Sequence, residues 1–224
     1  MSDVTGKHPA TFTDSIIEAL EDLIPMMVDP WIIIHDPFAG EGKKLGALCD
    51  RLGYVFTGTD LESWLDADPR VAVGDSTDPD TYPIGFAVVT SPTYNNGVND
   101  HFKPSENDTS RRLTYRTAAG HELHPNNTGR WSGRGSKRGE AEYWRITRDV
   151  VKHWPDVAMV NLKDSTRAGE IYRLTRLWEA LLEEHGYSVK WHDVPCPGWR
   201  FGTNSKVRAD SEVILVATRG AEQA

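Results

Sequence analysis

Short continuous apolar runs alternate along this chain with stretches whose apolar residues recur every three or four positions. That alternation is the signature of strands and amphipathic helices in succession. The first helix is predicted from about Thr13 to Ile24, where Ile16, Ile17, Leu20, Leu23 and Ile24 share a face. Thr11 with Asp14 resembles a capping box at its start, and Pro25 is expected to end it. "WIIIHD", 31–36, is a continuous apolar run closed by an acid, as in a strand buried on both faces of a parallel sheet. "PFAGEG" follows, then a helix from about Lys43 to Leu52, with Leu45, Leu48, Cys49 and Leu52 inward and Gly53 as its C-terminal cap.

"YVFTGTD", 54–60, and "VAVGD", 71–75, read as second and third strands, each ending in an acid, and "FAVVTS", 86–91, as a fourth. A polar stretch of more than 40 residues then intervenes, poor in aliphatics. Loops of that length are uncommon unless they are functional or disordered. Pattern resumes near Glu140 with a helix carrying Tyr143, Ile146, Val150 and Trp154, then a fifth strand, "VAMVNL", 157–162. A helix is predicted from about Gly169 to His185, through Ile171, Leu174, Leu177, Leu181 and Leu182, with Gly186 beyond it. "YSVKWHDV" and "EVILVAT" supply two last strands. Strands alternating with helices imply an α/β domain, a mainly parallel sheet covered on both faces. The last two strands have no helix between them, so one is expected to run antiparallel.

A length of 224 residues suits a single domain over 1–224, with 97–140 as an inserted segment. The net charge of −8 argues against a uniformly basic nucleic-acid binder, but the charge is unevenly spread. Between His101 and Arg148 lie 10 basic and 5 acidic residues, against 15 and 28 in the remainder. One basic segment on an acidic body fits a local polyanion contact, or a solvated charged loop. Two cysteines without a CxxC support neither a zinc ribbon nor a disulfide framework, and a reduced cytoplasmic setting is expected. No apolar run is long enough to span a membrane, and residues 1–15 are too polar for a signal peptide. His121-Glu122-Leu123-His124 lacks the i,i+4 histidine pair of a zinc protease, so no metal site is expected.

Ligands of open parallel sheets sit at the carboxyl ends of the strands. Three successive strands here end in Asp36, Asp60 and Asp75. Singly, each reads as a surface carboxylate at a turn. Together, with Gly40-Glu41-Gly42 after the first strand, they point to one nucleoside-containing ligand. The turn is not a P-loop, since Pro37 stands five before Gly42 and Lys44 follows Lys43. It is not a full dinucleotide fingerprint either, since Leu45 occupies the place of a third glycine. An acidic turn suits a cofactor without phosphates, and Asp60, about 20 residues on, suits ribose hydroxyls.

These residues resemble, in order, the S-adenosylmethionine-dependent DNA amino-methyltransferases, which methylate exocyclic amines of cytosine or adenine. "HPATF", 8–12, resembles the segment before the family's first helix. "DPFAGEG", 36–42, resembles its cofactor turn. "TSPTYNN", 90–96, resembles its catalytic corner, usually Asp, Asn or Ser followed by Pro-Pro-Tyr/Phe. "RFGTNSKVRADSEVILVATR", 200–219, is similar to the end of many such enzymes. The resemblance implies a Rossmann-like, seven-stranded methyltransferase sheet. It implies S-adenosylmethionine as cofactor, with Asp36, Phe38, Gly40 and Gly42 lining it and Thr11 and Phe12 at its amino-acid end. Asp60 would hold the ribose, and Asp75 the adenine amine with Ser76 nearby.

By the same resemblance, Ser91 Oγ and the Pro92 carbonyl would accept from the amine to be methylated, and Tyr94 would stack on a flipped base. The leading serine resembles the cytosine-amine enzymes more than the adenine-amine ones. DNA is the expected partner. An adenine-amine enzyme, an RNA methyltransferase and a non-catalytic nucleic-acid-binding relative are the alternatives. Segment 97–140 would recognise the target or act as a lid. Arg111, Arg112, Arg116, Arg130, Arg134, Lys137 and Arg138 would meet phosphates there, and Tyr115 and Trp131 would meet bases. Thr93 is the one departure, standing where the family carries a second proline.

Overall fold

The computed structural model describes residues 12–93, 122–131, 137–167, 170–195 and 211–220. Helix α1 (Asp14–Met27) buries Ile16, Leu20 and Ile24. It runs through Pro25 instead of stopping before it. That proline is exposed in the last turn, where the carbonyl it leaves unbonded can be hydrated. The N-cap is Thr13, whose side chain makes no capping bond. Asp14 caps nothing, pairing with Lys44 at 2.7 Å on α2 (Lys43–Leu52). Thr11, the expected cap, lies outside the described residues.

Seven strands form one sheet: β1 (Ile33–Asp36), β2 (Phe56–Asp60), β3 (Val71–Val73), β4 (Phe86–Thr90), β5 (Val157–Leu162), β8 (Ser188–Pro195) and β9 (Ser211–Thr218). Their order is β3-β2-β1-β4-β5-β9-β8. The pairs from β3 to β5 are parallel. β9 inserts between β5 and β8, antiparallel to both, opposite Leu162 with Val213 and opposite Val194 with Glu212. The α/β class, the strand count and the antiparallel strand near the C-terminus all agree with the sequence pattern.

Alternation within each strand divides the core. Ala87 and Val89 of β4 face the layer of α1 and α2 with Ile34, Phe56 and Met159. Val88 faces the other layer, built from α4 (Lys137–Val151) and α5 (Leu174–Glu184), where Val150, Trp154 and Trp178 are buried. Burial on both faces is what makes β1, β4, β5 and β9 continuous apolar runs.

The helix expected from Gly169 begins only at Leu174. A hairpin of β6 (Ser165–Arg167) and β7 (Glu170–Tyr172) precedes it. Ile171 keeps helical spacing with Leu174 by coincidence and belongs to β7. The start of α5 is held from outside the helix: Asp164 Oδ1 accepts from Thr175 N at 3.0 Å and Thr175 Oγ1 at 2.8 Å. A short helix, α3 (Thr128–Trp131), was not legible in the sequence. Among the described residues, no helix is long and apolar enough to cross a membrane.

Strand order reverses between β1 and its neighbours β2 and β4. The loops at the carboxyl ends of these strands diverge there and leave a crevice.

Candidate active site

Asp36 closes β1 and is 1% exposed. Its Oδ1 accepts from Thr90 Oγ1 at 2.5 Å and from Phe38 N at 3.0 Å. The carboxylate thus clamps the end of β1 to the end of β4. Burial pushes its pKa up to about 7, against the pull of those two bonds. Gly40 and Gly42 both take positive φ, +55° and +66°. Gly40 N donates to Asp60 Oδ2 at 2.9 Å, tying the turn to β2. A Cβ on Gly42 would lie 2.5 Å from Val71 Cγ2, so this glycine lets the turn pack on β3. Of the turn residues, Pro37 and Phe38 line the cleft; Asp36, Gly40 and Gly42 stand behind it as its frame. Phe12 is in the core beside α1 and not on the cleft wall.

The cleft holds about 540 Å³ of space between atoms, part of it open to solvent. Asp60, Asp75, Ser76 and Ser91 line it, with apolar surface from Leu61, Trp64, Ile146 and Val150. Asp60 Oδ1 accepts from Glu62 N at 2.9 Å and Trp64 Nε1 at 3.0 Å. Asp75 Oδ1 accepts from Thr77 N at 3.0 Å and Thr77 Oγ1 at 2.8 Å, and its Oδ2 from Asn126 Nδ2 at 2.8 Å. Burial works to raise the Asp75 pKa, but the bonds from Asn126 and Thr77 outweigh it and hold the carboxyl below its ordinary value. Ser76 is held through its Oγ, which donates to Pro37 O at 2.8 Å.

The corner after β4 opens onto the same cleft. Ser91 and Thr93 line it, and Pro92 is buried between them. Asn161 Nδ2, from β5, lies 3.4 Å from Ser91 Oγ and 3.2 Å from Glu212 Oε2 on β9. Thr93 is fastened twice. Its carbonyl accepts from Tyr143 OH at 2.8 Å, and its hydroxyl donates to Thr128 Oγ1 at 2.7 Å.

Residues 122–131 form a strap over the cleft, to which Asn126, Asn127 and Thr128 contribute wall. Asn127 Nδ2 donates to Glu62 Oε1 at 3.1 Å, and Leu123 packs on Trp64. The sequence pattern pointed to none of Asn126, Asn127, Glu62, Trp64, Thr77 or Asn161; the polar run His124-Pro125-Asn126-Asn127-Thr128 carries turn chemistry and no periodicity.

Two expected nucleic-acid contacts are engaged in building this strap. Arg130 donates to Leu123 O at 2.7 Å and Glu122 Oε1 at 2.9 Å, and its guanidinium lies 5.4 Å from the centre of the Trp131 ring. Trp131 Nε1 donates to Pro125 O at 2.7 Å. Arg138 is exposed on α4, and Lys137 begins that helix. Tyr94, Arg111, Arg112, Tyr115, Arg116 and Arg134 lie outside the described residues.

No protein-family model matches the chain, and neither does any curated protein. Among solved structures, a geranyl diphosphate methyltransferase in complex with GPP and sinefungin matches at TM-score 0.51 and 9% identity, covering 92% of this chain and 78% of that one. The [4+2]-cyclase SpnF matches at 0.50 and 13%, over 97% of this chain and 87% of its own. A Burkholderia thailandensis 1,6-didemethyltoxoflavin-N1-methyltransferase, bound to 1,6-didemethyltoxoflavin and S-adenosylhomocysteine, matches at 0.47 and 10%, over 92% and 78%. At these identities the likeness defines the fold and nothing finer. The chain has the Rossmann-like fold of S-adenosylmethionine-dependent methyltransferases, a seven-stranded sheet whose last sequential strand is inserted antiparallel.

Proposed function

We propose that this chain uses S-adenosylmethionine to methylate the exocyclic amine of a base in DNA, with cytosine as the base. The observation that carries the reading is that Ser91 lines the same cleft as Asp60 and Asp75. An amine acceptor and two carboxylates suited to a nucleoside therefore converge beyond the carboxyl ends of β2, β3 and β4.

The residues present fit the cofactor. Leu61, Trp64 and Val150 offer apolar wall to a purine, and Asp60 and Asp75 offer acceptors to hydroxyls and an amine. When bound, S-adenosylmethionine supplies a methyl group on an electrophilic sulfonium. Asp36 and the two glycines shape the turn, and Asp60, which accepts from Gly40 N through Oδ2, would hold the ribose. An aromatic amine is a poor nucleophile because its lone pair is delocalised into the ring. Acceptors at Ser91 Oγ and the Pro92 carbonyl would orient its N–H groups and turn the lone pair toward the methyl. Alignment and these hydrogen bonds are what the protein contributes. Segment 97–140 would meet the nucleic acid, with Arg138 at its exposed end.

The test is nucleoside mass spectrometry of DNA from cells expressing the chain, with labelled-methyl transfer to DNA and RNA in parallel. N4-methylcytosine is expected. Methylated adenine alone moves the assignment to the adenine-amine enzymes, and label in RNA only moves it to RNA. A second reading, a nucleic-acid-binding relative without methyl transfer, draws on the protein donors already held by both Asp60 and Asp75. No transfer to either polymer would favour it.

A further inference from the structure

Asp75 has both carboxylate oxygens in use, and the two are used differently. Oδ1 is taken by Thr77 of its own loop, through the backbone N and the hydroxyl. Oδ2 is taken from across the cleft by Asn126 Nδ2 at 2.8 Å. The donor on Oδ2 is a planar, conjugated NH₂ group. The exocyclic amine of adenine is the same kind of donor: flat, conjugated, with two N–H bonds and no basicity. Asp75 and Asn126 both line the cleft.

The Asn126 side chain, which also reaches Thr77 Oγ1 at 3.5 Å, can swing away without undoing the strap. Its neighbours carry the anchors: Asn127 bonds Glu62, Thr128 bonds Thr93, and Leu123 packs on Trp64. Asn126 is only partly buried, and its amide oxygen is met by Arg145 Nη2 at 3.4 Å, from the exposed side of α4. A side-chain rotation toward Arg145 would free Asp75 Oδ2 while the strap stays folded.

Resting on the S-adenosylmethionine reading above, we infer that Asn126 competes with the cofactor's adenine amine for Asp75 Oδ2, and so sets cofactor affinity from the strap. The carboxamide keeps the carboxylate satisfied until an equivalent donor replaces it. Binding then exchanges one charge-assisted hydrogen bond for another, and the net gain at this contact is small. The strap thereby holds affinity below what the cleft walls alone would give, which suits a site that must release its product.

The experiment is calorimetric titration of the full chain with S-adenosylhomocysteine, comparing wild type with Asn126→Ala. The variant should bind roughly tenfold more tightly, because the amine no longer displaces an internal donor. S-inosylhomocysteine, with an oxygen in place of the amine, should gain nothing from the substitution. Thermal denaturation of both proteins establishes that the variant is folded, and Asn126→Leu, which keeps the side-chain bulk, should repeat the gain. Unchanged or weaker S-adenosylhomocysteine binding by both variants overturns the inference, since Asn126 would then be neutral or a cofactor ligand itself. An equal gain for the inosyl compound also overturns it, because the effect would not run through the amine. If wild type and variants alike fail to bind S-adenosylhomocysteine, the cofactor reading itself falls.

Discussion

The hydroxyls of Thr93 and Thr128 meet at 2.7 Å, joining the corner after β4 to a strap 35 residues further along the chain. Thr128 is buried, and the Thr93 carbonyl is simultaneously held by Tyr143, whose own hydroxyl accepts from Trp178 Nε1 at 3.3 Å. A proline at position 93, as the resembling family carries, would keep the carbonyl and lose the hydroxyl. The departure from the family corner therefore has a structural role here: it fastens the cover of the cleft to the corner.

Thr93→Val should accordingly destabilise the protein by about 1–2 kcal/mol, since it strands a buried hydroxyl at Thr128. Hydrogen exchange across 122–131 should quicken, while exchange in β4 and β5 stays slow. Thr93→Ser should restore both. Urea denaturation and exchange mass spectrometry read the two effects. Unchanged exchange in the strap of the valine variant would show that the hydroxyl pair does not hold it.

The sheet was legible because its central strands are buried on both faces and so are written as unbroken apolar runs. β4 and β5 could be read within a residue of their observed ends. Asp60, the last residue of β2, and Asp75, two residues beyond β3, line the same cleft, as the acids read at the ends of successive parallel strands were expected to. For Asp36, residue type did not reveal that the carboxyl turns inward onto Thr90, 54 residues away. The strap was illegible for a related reason. Asn126 and Asn127 act through Asp75 and Glu62, distant partners that no local periodicity encodes. Arg130 and Trp131 also pack on each other and bond the strap backbone, contacts that their composition does not reveal.

Gly42 and Gly53 both have positive φ, +66° and +79°, but only one is packed. Beyond Gly53 a Cβ would meet nothing within 4 Å, whereas at Gly42 it would meet Val71 at 2.5 Å and Phe56 at 3.3 Å. Gly53→Ala should therefore cost about 1 kcal/mol, the backbone penalty alone. Gly42→Ala should cost roughly 3 kcal/mol, because steric displacement of β3 is added. Chemical denaturation midpoints separate them. Equal losses would mean that the turn is free to shift away from Val71.

Ser91→Ala separates chemistry from cofactor binding. Ser91 Oγ is proposed to orient the amine, and Asp60 and Asp75, at and beyond the ends of β2 and β3, are proposed to hold the nucleoside. Methyl transfer should fall on the order of 100-fold in kcat, and S-adenosylhomocysteine affinity should stay at the wild-type value. Steady-state kinetics with labelled cofactor and calorimetry measure the two quantities. A parallel loss of cofactor affinity would place Ser91 in the cofactor site instead.

His35 and Asp36 are consecutive buried residues with opposite responses to acid. His35 is 1% exposed, with Nδ1 2.9 Å from Thr57 Oγ1 and the rings of Tyr82 and Phe86 packed beside it. Burial lowers its pKa to about 4. A lowered histidine contributes stability that is complete above the unfolded value of about 6.5 and is lost as pH falls through 4. Asp36 is raised by burial to about 7. Its contribution is complete below the unfolded value near 3.8 and is lost as pH rises through 7. The effects amount to roughly 3 kcal/mol for His35 and roughly 4 kcal/mol for Asp36 over nearly the same window, so in the wild type they largely cancel. Single substitutions should expose them. Relative to wild type, His35→Leu should gain stability as pH falls from 6.5 to 4, and Asp36→Asn should gain as pH rises from 4 to 7. Denaturation free energies measured at half-unit intervals test both slopes. Two variants that change with pH in the same direction would show that one of these residues is not held in the state its burial dictates.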